Sequence, residues 1–180
     1  MSLVELIAQA DERGLAASGL ACLDRCVPLL GGDDEILRPL WAALADSGDW
    51  GEGLEVARGK LASGEEGGEA ALLARRMLEA APADRSAAGL RVWADACSVA
   101  SLQIHRLLDP AADAFPVDSR REGRTEGMSP LVAAELRRQV AVLEVLASHG
   151  AGGLRRALEV STEGRRVLRA VVSRRARGRG

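Results

Sequence analysis

The chain has 180 residues, of which 47% are hydrophobic and 28% are charged. This length suits one domain with its own core, and this composition excludes a chain that is disordered throughout. Aromatic residues make up only 2%, and there is no tyrosine. The composition therefore argues against a β-sandwich or barrel. It also offers no aromatic platform for stacking single-stranded nucleic acid.

Membrane and secretion signals are missing from the sequence. It contains no apolar run of the roughly 20 residues that a membrane-spanning helix needs, and its amino terminus lacks the basic and apolar regions of a signal peptide. Three cysteines, an odd number, provide no disulfide framework. We therefore expect a cytoplasmic, reduced protein.

The net charge of −2 conceals an uneven distribution along the chain. Residues 1–118 carry 20 acidic and 10 basic groups, whereas residues 119–180 carry 6 acidic and 14 basic groups. Charge segregation of this size indicates an interaction surface, or two parts of the protein that attract each other.

Apolar residues spaced three and four positions apart predict helices along the chain. In order, the predicted helices run from Leu3 to near Gly14, over 16–30, from a cap at Asp33 or Asp34 through Leu44, after the turn 47–49 to Leu61, over 69–81, over 84–108, from the cap at Ser129 to near Gly150, over 154–160, and from a cap at Ser161 or Thr162 onward. No segment has the pattern of a strand. We predict an all-α fold.

The predicted helices fall into regions that the composition separates. Residues 1–108 form the region of helical hairpins, and 109–130 form a loop with three prolines and Phe115 as its only large apolar residue. Residues 131–173 form carboxy-terminal helices, expected to pack as a bundle segment on the same domain. Residues 174–180 are expected to be a disordered basic tail.

An internal match appears when the chain is shifted by 34 residues. The matched pairs are Leu3/Leu37, Leu6/Leu40, Gly14/Gly48, Gly19/Gly53 and Leu20/Leu54. This is the length of a tetratricopeptide repeat, and residues 34–67 resemble that family, with a turn and a small residue between helices at 47–54. Trp41, Lys60 and Glu65 depart from the family pattern. The resemblance implies stacked antiparallel helical hairpins, and the alternative is an irregular helical bundle.

The resemblance also implies a function, since the family binds partner proteins in a groove formed by first helices. Carried over by position, the groove residues are Val4, Ala8, Asp11, Glu12, Arg38, Ala42 and Asp46. Such a groove is mildly acidic and favours a basic ligand, which could be the protein's own arginine-rich tail. The sequence thus favours a non-catalytic interaction module with an unidentified protein partner and without a cofactor.

Arginines dominate the end of the chain and suggest an alternative function. Residues 155–180 contain nine arginines, and arginine bonds phosphate in a bidentate manner. The candidate anion-binding residues are Arg165, Arg166, Arg169, Arg174, Arg175, Arg177 and Arg179. They favour a nucleic-acid-associated accessory protein, a contact with the acidic half of the chain or with a protein partner, or simply a solvated helix face.

Two short patterns raise a third alternative, a small metal protein or enzyme. Cys22 and Cys26 share a helical face, as do His105 and Asp109. Zinc needs further ligands, and Cys97 and His149 are scattered. We therefore expect the cysteines to be core residues and His105 to lie at a helix end beside a local carboxylate, and we assign no metal or catalytic residue.

Overall fold

The computed structural model describes residues 1–46, 48–61 and 67–178. Within these ranges the chain is helical and contains no strand, so the all-α prediction is confirmed. The α-helices are α1 (Leu3–Gln9), α2 (Glu12–Arg25), α3 (Arg38–Ala45), α4 (Trp50–Leu61), α5 (Gly68–Ala80), α6 (Ala87–Leu108), α7 (Val117–Arg121), α8 (Pro130–His149) and α9 (Leu154–Gly178), with 3-10 turns at Val27–Leu29 and Gly150–Gly153.

Helix α2 is the centre of the molecule. It packs against α6, α9 and α8, with α3 and α5 also in contact, and every residue from Gly14 to Arg25 is buried. A helix that is buried all round cannot be amphipathic in the usual sense. Small residues make this possible, because the first half of α2 is rich in alanine, glycine and serine and lets neighbouring helices approach closely.

Two glycines permit the closest approaches between helices. A Cβ atom at Gly19 of α2 would lie 2.5 Å from the ring of Trp93 on α6, which is closer than real Cβ contacts. Gly164 of α9 lies directly over the side-chain methylenes of Arg25. The two glycines therefore set how closely α6 and α9 pack on the central helix.

Hairpin stacking over 1–67 is not confirmed. Helices α3 and α4 pack against each other, and a Cβ atom at Gly53 would come within 2.9 Å of Leu40. Helix α1, in contrast, makes its main contacts with α8 and α6 rather than with α2. The chain leaves α1 at once because Asp11 accepts a hydrogen bond from the Gly14 amide at 2.8 Å and starts α2 there.

The last helix differs from its predicted form. Helix α9 is continuous from Leu154 to Gly178, a length of about 37 Å. Ser161 and Thr162 do not cap a new helix, because their hydroxyls donate to the carbonyls of Ala157 and Leu158 one turn earlier. Residues 174–178, predicted to belong to a disordered tail, are helical, and 179–180 lie outside the described residues.

The predicted loop over 109–130 contains the short helix α7 and a buried ion pair. Arg120 donates to Asp113 at 3.0 and 2.8 Å and also to the carbonyls of Arg124 and Glu126. The guanidinium of Arg124 lies 4.4 Å from the centre of the Phe115 ring. One arginine thus organises the segment that precedes α8.

None of the helices in the described parts of the chain is long and apolar enough to cross a membrane.

Replacing Gly19 with alanine is expected to destabilise the fold by about 1–3 kcal/mol, because the added methyl overlaps the Trp93 ring. Gly59→Ala is the matched control: this glycine is exposed within α4, and its Cβ would meet no atom within 4 Å. The control is expected to gain about 0.5–1 kcal/mol from helix propensity. Urea unfolding of both variants measures the difference, and equal stability would contradict the close contact between Gly19 and Trp93.

Candidate interaction surfaces and the buried polar network

A buried ion pair joins two helices that are far apart in sequence. Arg25 of α2 donates to both carboxylate oxygens of Glu135 on α8, from Nε and from Nη2, each at 2.7 Å. Both side chains are 0% exposed. Burial alone would raise the pKa of Glu135, but the facing guanidinium of Arg25 holds it near 2. The pair is therefore fully charged in the folded protein at neutral pH.

Two further polar side chains donate hydrogen bonds to Glu135. Ser101 of α6 donates to it at 2.7 Å, and Gln139, one turn further along α8, donates at 3.0 Å. Gln139 in turn accepts a bond from Ser98 at 2.6 Å. The cluster ties α2, α6 and α8 together at one level of the bundle, although Arg25 Nη1 has no partner among the described residues.

The three cysteines lie beside this cluster and are free thiols in the core. Burial raises the pKa of the Cys22 thiol to about 12, and burial also raises the pKa values of Cys26 and Cys97 above the usual value for a thiol. A thiol must lose its proton to act as a nucleophile or a metal ligand. The prediction that Cys22 and Cys26 are core residues is confirmed.

His105 and Asp109 do not form the pair that their spacing suggested. His105 donates from Nδ1 to the Ser101 carbonyl at 2.7 Å, and its Nε2 lies 3.6 Å from Glu135. Asp109 accepts from the amides of Ala111 and Leu131, both at 2.8 Å, and so helps to begin α8. Burial lowers the pKa of His105, which keeps the ring neutral near pH 7.

No group of three or more histidine, cysteine, aspartate or glutamate side chains in the described part of the chain has an arrangement that could hold a metal ion. The buried polar residues instead bond to one another, and these bonds hold α2, α6 and α8 in place against each other.

Sequence reasoning missed Glu135 and Gln139. By apolar spacing alone, Leu136 and Val140 would belong to the inner face of α8 together with Val132 and Leu143, yet both are only half-buried. The buried face instead includes Val132, Glu135, Gln139, Val142 and Leu146, spaced three and four apart. That spacing was present in the sequence, but two polar residues interrupt the apolar pattern.

The predicted partner groove does not form one continuous surface. Val4 and Ala8 are exposed on α1, and Asp11 borders a separate pocket between α1 and α8. Arg85 fills the space between the two matched segments, where it pairs with Glu12 and donates to the Ala43 carbonyl. Arg38 is exposed, and its guanidinium pairs with Glu35 at 2.7 Å.

Ala42 and Asp46 line an open groove between α3 and α4. It has a volume of about 350 Å³, and Pro39, Ala43 and Val56 are among its apolar lining residues. Val56 is 46% exposed. Three carboxylates border the groove, those of Asp46, Asp49 and Glu52, and none of them makes an ion pair with a described residue. We call this feature the α3–α4 groove.

The predicted arginines separate into two groups. Arg165 and Arg169 are occupied, since Arg165 pairs with buried Asp24 and Arg169 pairs with Asp34. Burial raises the pKa of Asp24 even though Arg165 and the Trp41 indole bond to it. These contacts are the pairing with the acidic half of the chain that the charge distribution suggested.

The second group is free to meet a partner. Arg166, Arg174, Arg175 and Arg177 are exposed and have no ion-pair partner among the described residues, and Arg179 lies outside them. Arg174 and Arg175 border a mostly apolar pocket of about 430 Å³, which Pro110, Pro130 and Leu131 line. The carboxy-terminal end of α9 is therefore basic with apolar neighbours.

No protein-family model matches the chain, and neither a curated protein nor a solved structure is significantly similar to it.

Glu135→Gln is expected to lower the free energy of unfolding by about 3–5 kcal/mol, because it leaves the buried charge of Arg25 uncompensated. The paired replacement Arg25→Met with Glu135→Leu removes both charges and is expected to cost less than the single change. Urea unfolding of Arg25→Met alone, Glu135→Leu alone and the double variant closes the cycle. Additive losses would contradict a direct interaction between the two side chains.

The stability of the fold is expected to fall as pH drops from 7 to 5. The pKa of His105 is lower in the folded than in the unfolded chain, so below pH 6.5 the unfolded state binds a proton that the folded state does not. Unfolding free energies at both pH values, for the native chain and for His105→Gln, isolate this effect. An unchanged difference between the two proteins would contradict a neutral, buried His105.

Proposed function

We propose that the protein is a non-catalytic interaction module and that its α3–α4 groove binds a basic, partly apolar segment of a partner protein. In this proposal the α3–α4 hairpin acts as a single tetratricopeptide-like unit, which the bundle of α2, α6, α8 and α9 supports from behind. The observation that carries the proposal is the combination of an open apolar groove with three carboxylates that have no ion pair among the described residues.

Charge and shape both support a basic occupant. An apolar floor contributes burial, while carboxylates at the rim favour arginine or lysine and disfavour acidic segments. The arginines of α3 and α4 do not neutralise the carboxylates at the rim. Arg38 pairs with Glu35, and Arg58 pairs with Glu55. The groove therefore keeps its negative charge in the folded protein.

The shape of the groove depends on a close helix contact. Gly53 lets α4 approach Leu40 of α3, and Trp50 anchors the start of α4 by donating from its indole to the Pro82 carbonyl at 2.9 Å. These contacts fix the two walls against the core. A groove with fixed walls loses little conformational entropy when a ligand binds.

A pair of synthetic helical peptides tests the proposal, one with arginine and leucine on alternate turns and one with glutamate in place of arginine. The arginine peptide is expected to bind, as measured by fluorescence anisotropy, and Asp46→Arg is expected to weaken it by about tenfold through like-charge repulsion. Added salt weakens the binding further because the carboxylates are exposed.

Asp118→Arg serves as the control, since this exposed aspartate on α7 undergoes the same charge change away from the groove. Equal affinity in the Asp46→Arg and Asp118→Arg proteins would show that the arginine peptide binds elsewhere. Preference for the glutamate peptide would overturn the proposal.

A further inference from the structure

We infer that the basic segment bound by the α3–α4 groove is the carboxy-terminal end of α9 in a second copy of this chain. This inference rests on the proposed function of the groove. It predicts head-to-tail self-association, in which a groove on one copy receives the arginine-rich helix end of the next.

The two surfaces are complementary in chemistry. The groove presents Asp46, Asp49 and Glu52 around apolar Ala42 and Val56. Beyond Val172, every described residue at the end of α9 is exposed, and Arg174, Arg175 and Arg177 lie there without an ion pair to a described residue. Each surface thus carries charges that the described part of its own chain leaves unneutralised.

Asp46 of the groove and the basic end of α9 lie at opposite ends of α2. Arg13, at the start of α2, donates to the Leu44 carbonyl at 3.0 Å, which places the end of α3 and the neighbouring Asp46 there. Arg165 pairs with Asp24 at the end of α2, and the remaining turns of α9 continue past it towards Pro28 and Leu29. Along α2, Arg13 and Asp24 lie about 17 Å apart.

This separation decides between binding within one chain and binding between chains. Because the earlier turns of α9 pack on α2, the carboxy-terminal end of α9 points away from Asp46 in the groove of its own chain. A second copy therefore supplies the complementary surface. Because the groove and the helix end are different patches, the contact is heterologous and can extend from copy to copy. We therefore expect assembly to grow with protein concentration and to weaken with salt.

Two variants of the full chain test the inference by complementation. Asp46→Arg with Glu52→Arg disables the groove and keeps the helix end, whereas Arg174→Gln with Arg175→Gln weakens the helix end and keeps the groove. Sedimentation velocity at low salt is expected to find the native chain associated and each variant alone about tenfold weaker in self-association. An equimolar mixture of the two variants is expected to recover a one-to-one complex.

The control changes the other end of the same helix. Arg155→Gln with Arg156→Gln removes two adjacent exposed arginines from the start of α9 and is expected to leave association at the native level. Circular dichroism shows that each variant remains folded. Loss of association in this control as strong as in the helix-end variant would overturn the inference.

The outcomes separate this inference from the proposed function. A native chain that stays monomeric at low salt, while the arginine peptide still binds its groove, would overturn self-association and leave the groove as a site for another protein. If the chain associates but the variant mixture does not complement, these two surfaces are not the contact. Failure of both peptide binding and association would remove the groove from either role.

Discussion

The buried pair of Arg25 and Glu135 is the constraint on which the packing of the long helices depends. Two charges without water are costly unless their geometry is nearly ideal. Here both oxygens of Glu135 accept from Arg25, and Ser101 and Gln139 supply further donors. A small slide of α8 along α2 would break several of these bonds at once. The pair therefore fixes the register of α2, α6 and α8.

That register explains why α2 is composed as it is. A helix surrounded by neighbours needs small side chains where they cross, and α2 provides Gly19 beneath Trp93. Where α2 ends, it carries Asp24 and Arg25, whose charges meet Arg165 and Glu135 from two other helices. Small residues and paired charges thus serve one purpose, which is to bring α6, α8 and α9 close to a single axis.

Periodicity predicted most of the helices but not which helices pack together. The long helices α6 and α8 begin and end close to their predicted bounds, and the prediction of an all-α fold is confirmed. The 34-residue match predicted that α3 and α4 pack together, and they do. It did not predict that α1 packs on α8, because contacts between segments distant in sequence leave no local pattern. Ser161 and Thr162 resembled caps because hydroxyl residues suit both a helix start and an internal bond to the preceding turn.

The candidate site was predictable only in part, for a related physical reason. Ala42 and Asp46 do line an open groove, but the expected continuation to Glu12 is filled by Arg85, which is 73 residues away in sequence. A carboxylate looks the same in sequence whether it faces water or an arginine from another helix. Only the fold decides which charges remain available.

The uneven charge distribution along the chain is explained in part by the ion pairs that form in the fold. Four arginines of the basic part, Arg120, Arg121, Arg165 and Arg169, pair with aspartates of the acidic part. The asymmetry along the sequence is thus partly neutralised inside the fold, where it joins distant segments. Charge left over after this pairing includes the carboxylates of the α3–α4 groove and the arginines at the end of α9. The attraction that closes the fold and the attraction proposed between copies then have the same origin, and they differ in burial. The internal pairs of Arg120 and Arg165 are buried and resist salt, whereas the exposed charges of the proposed contact are screened by it.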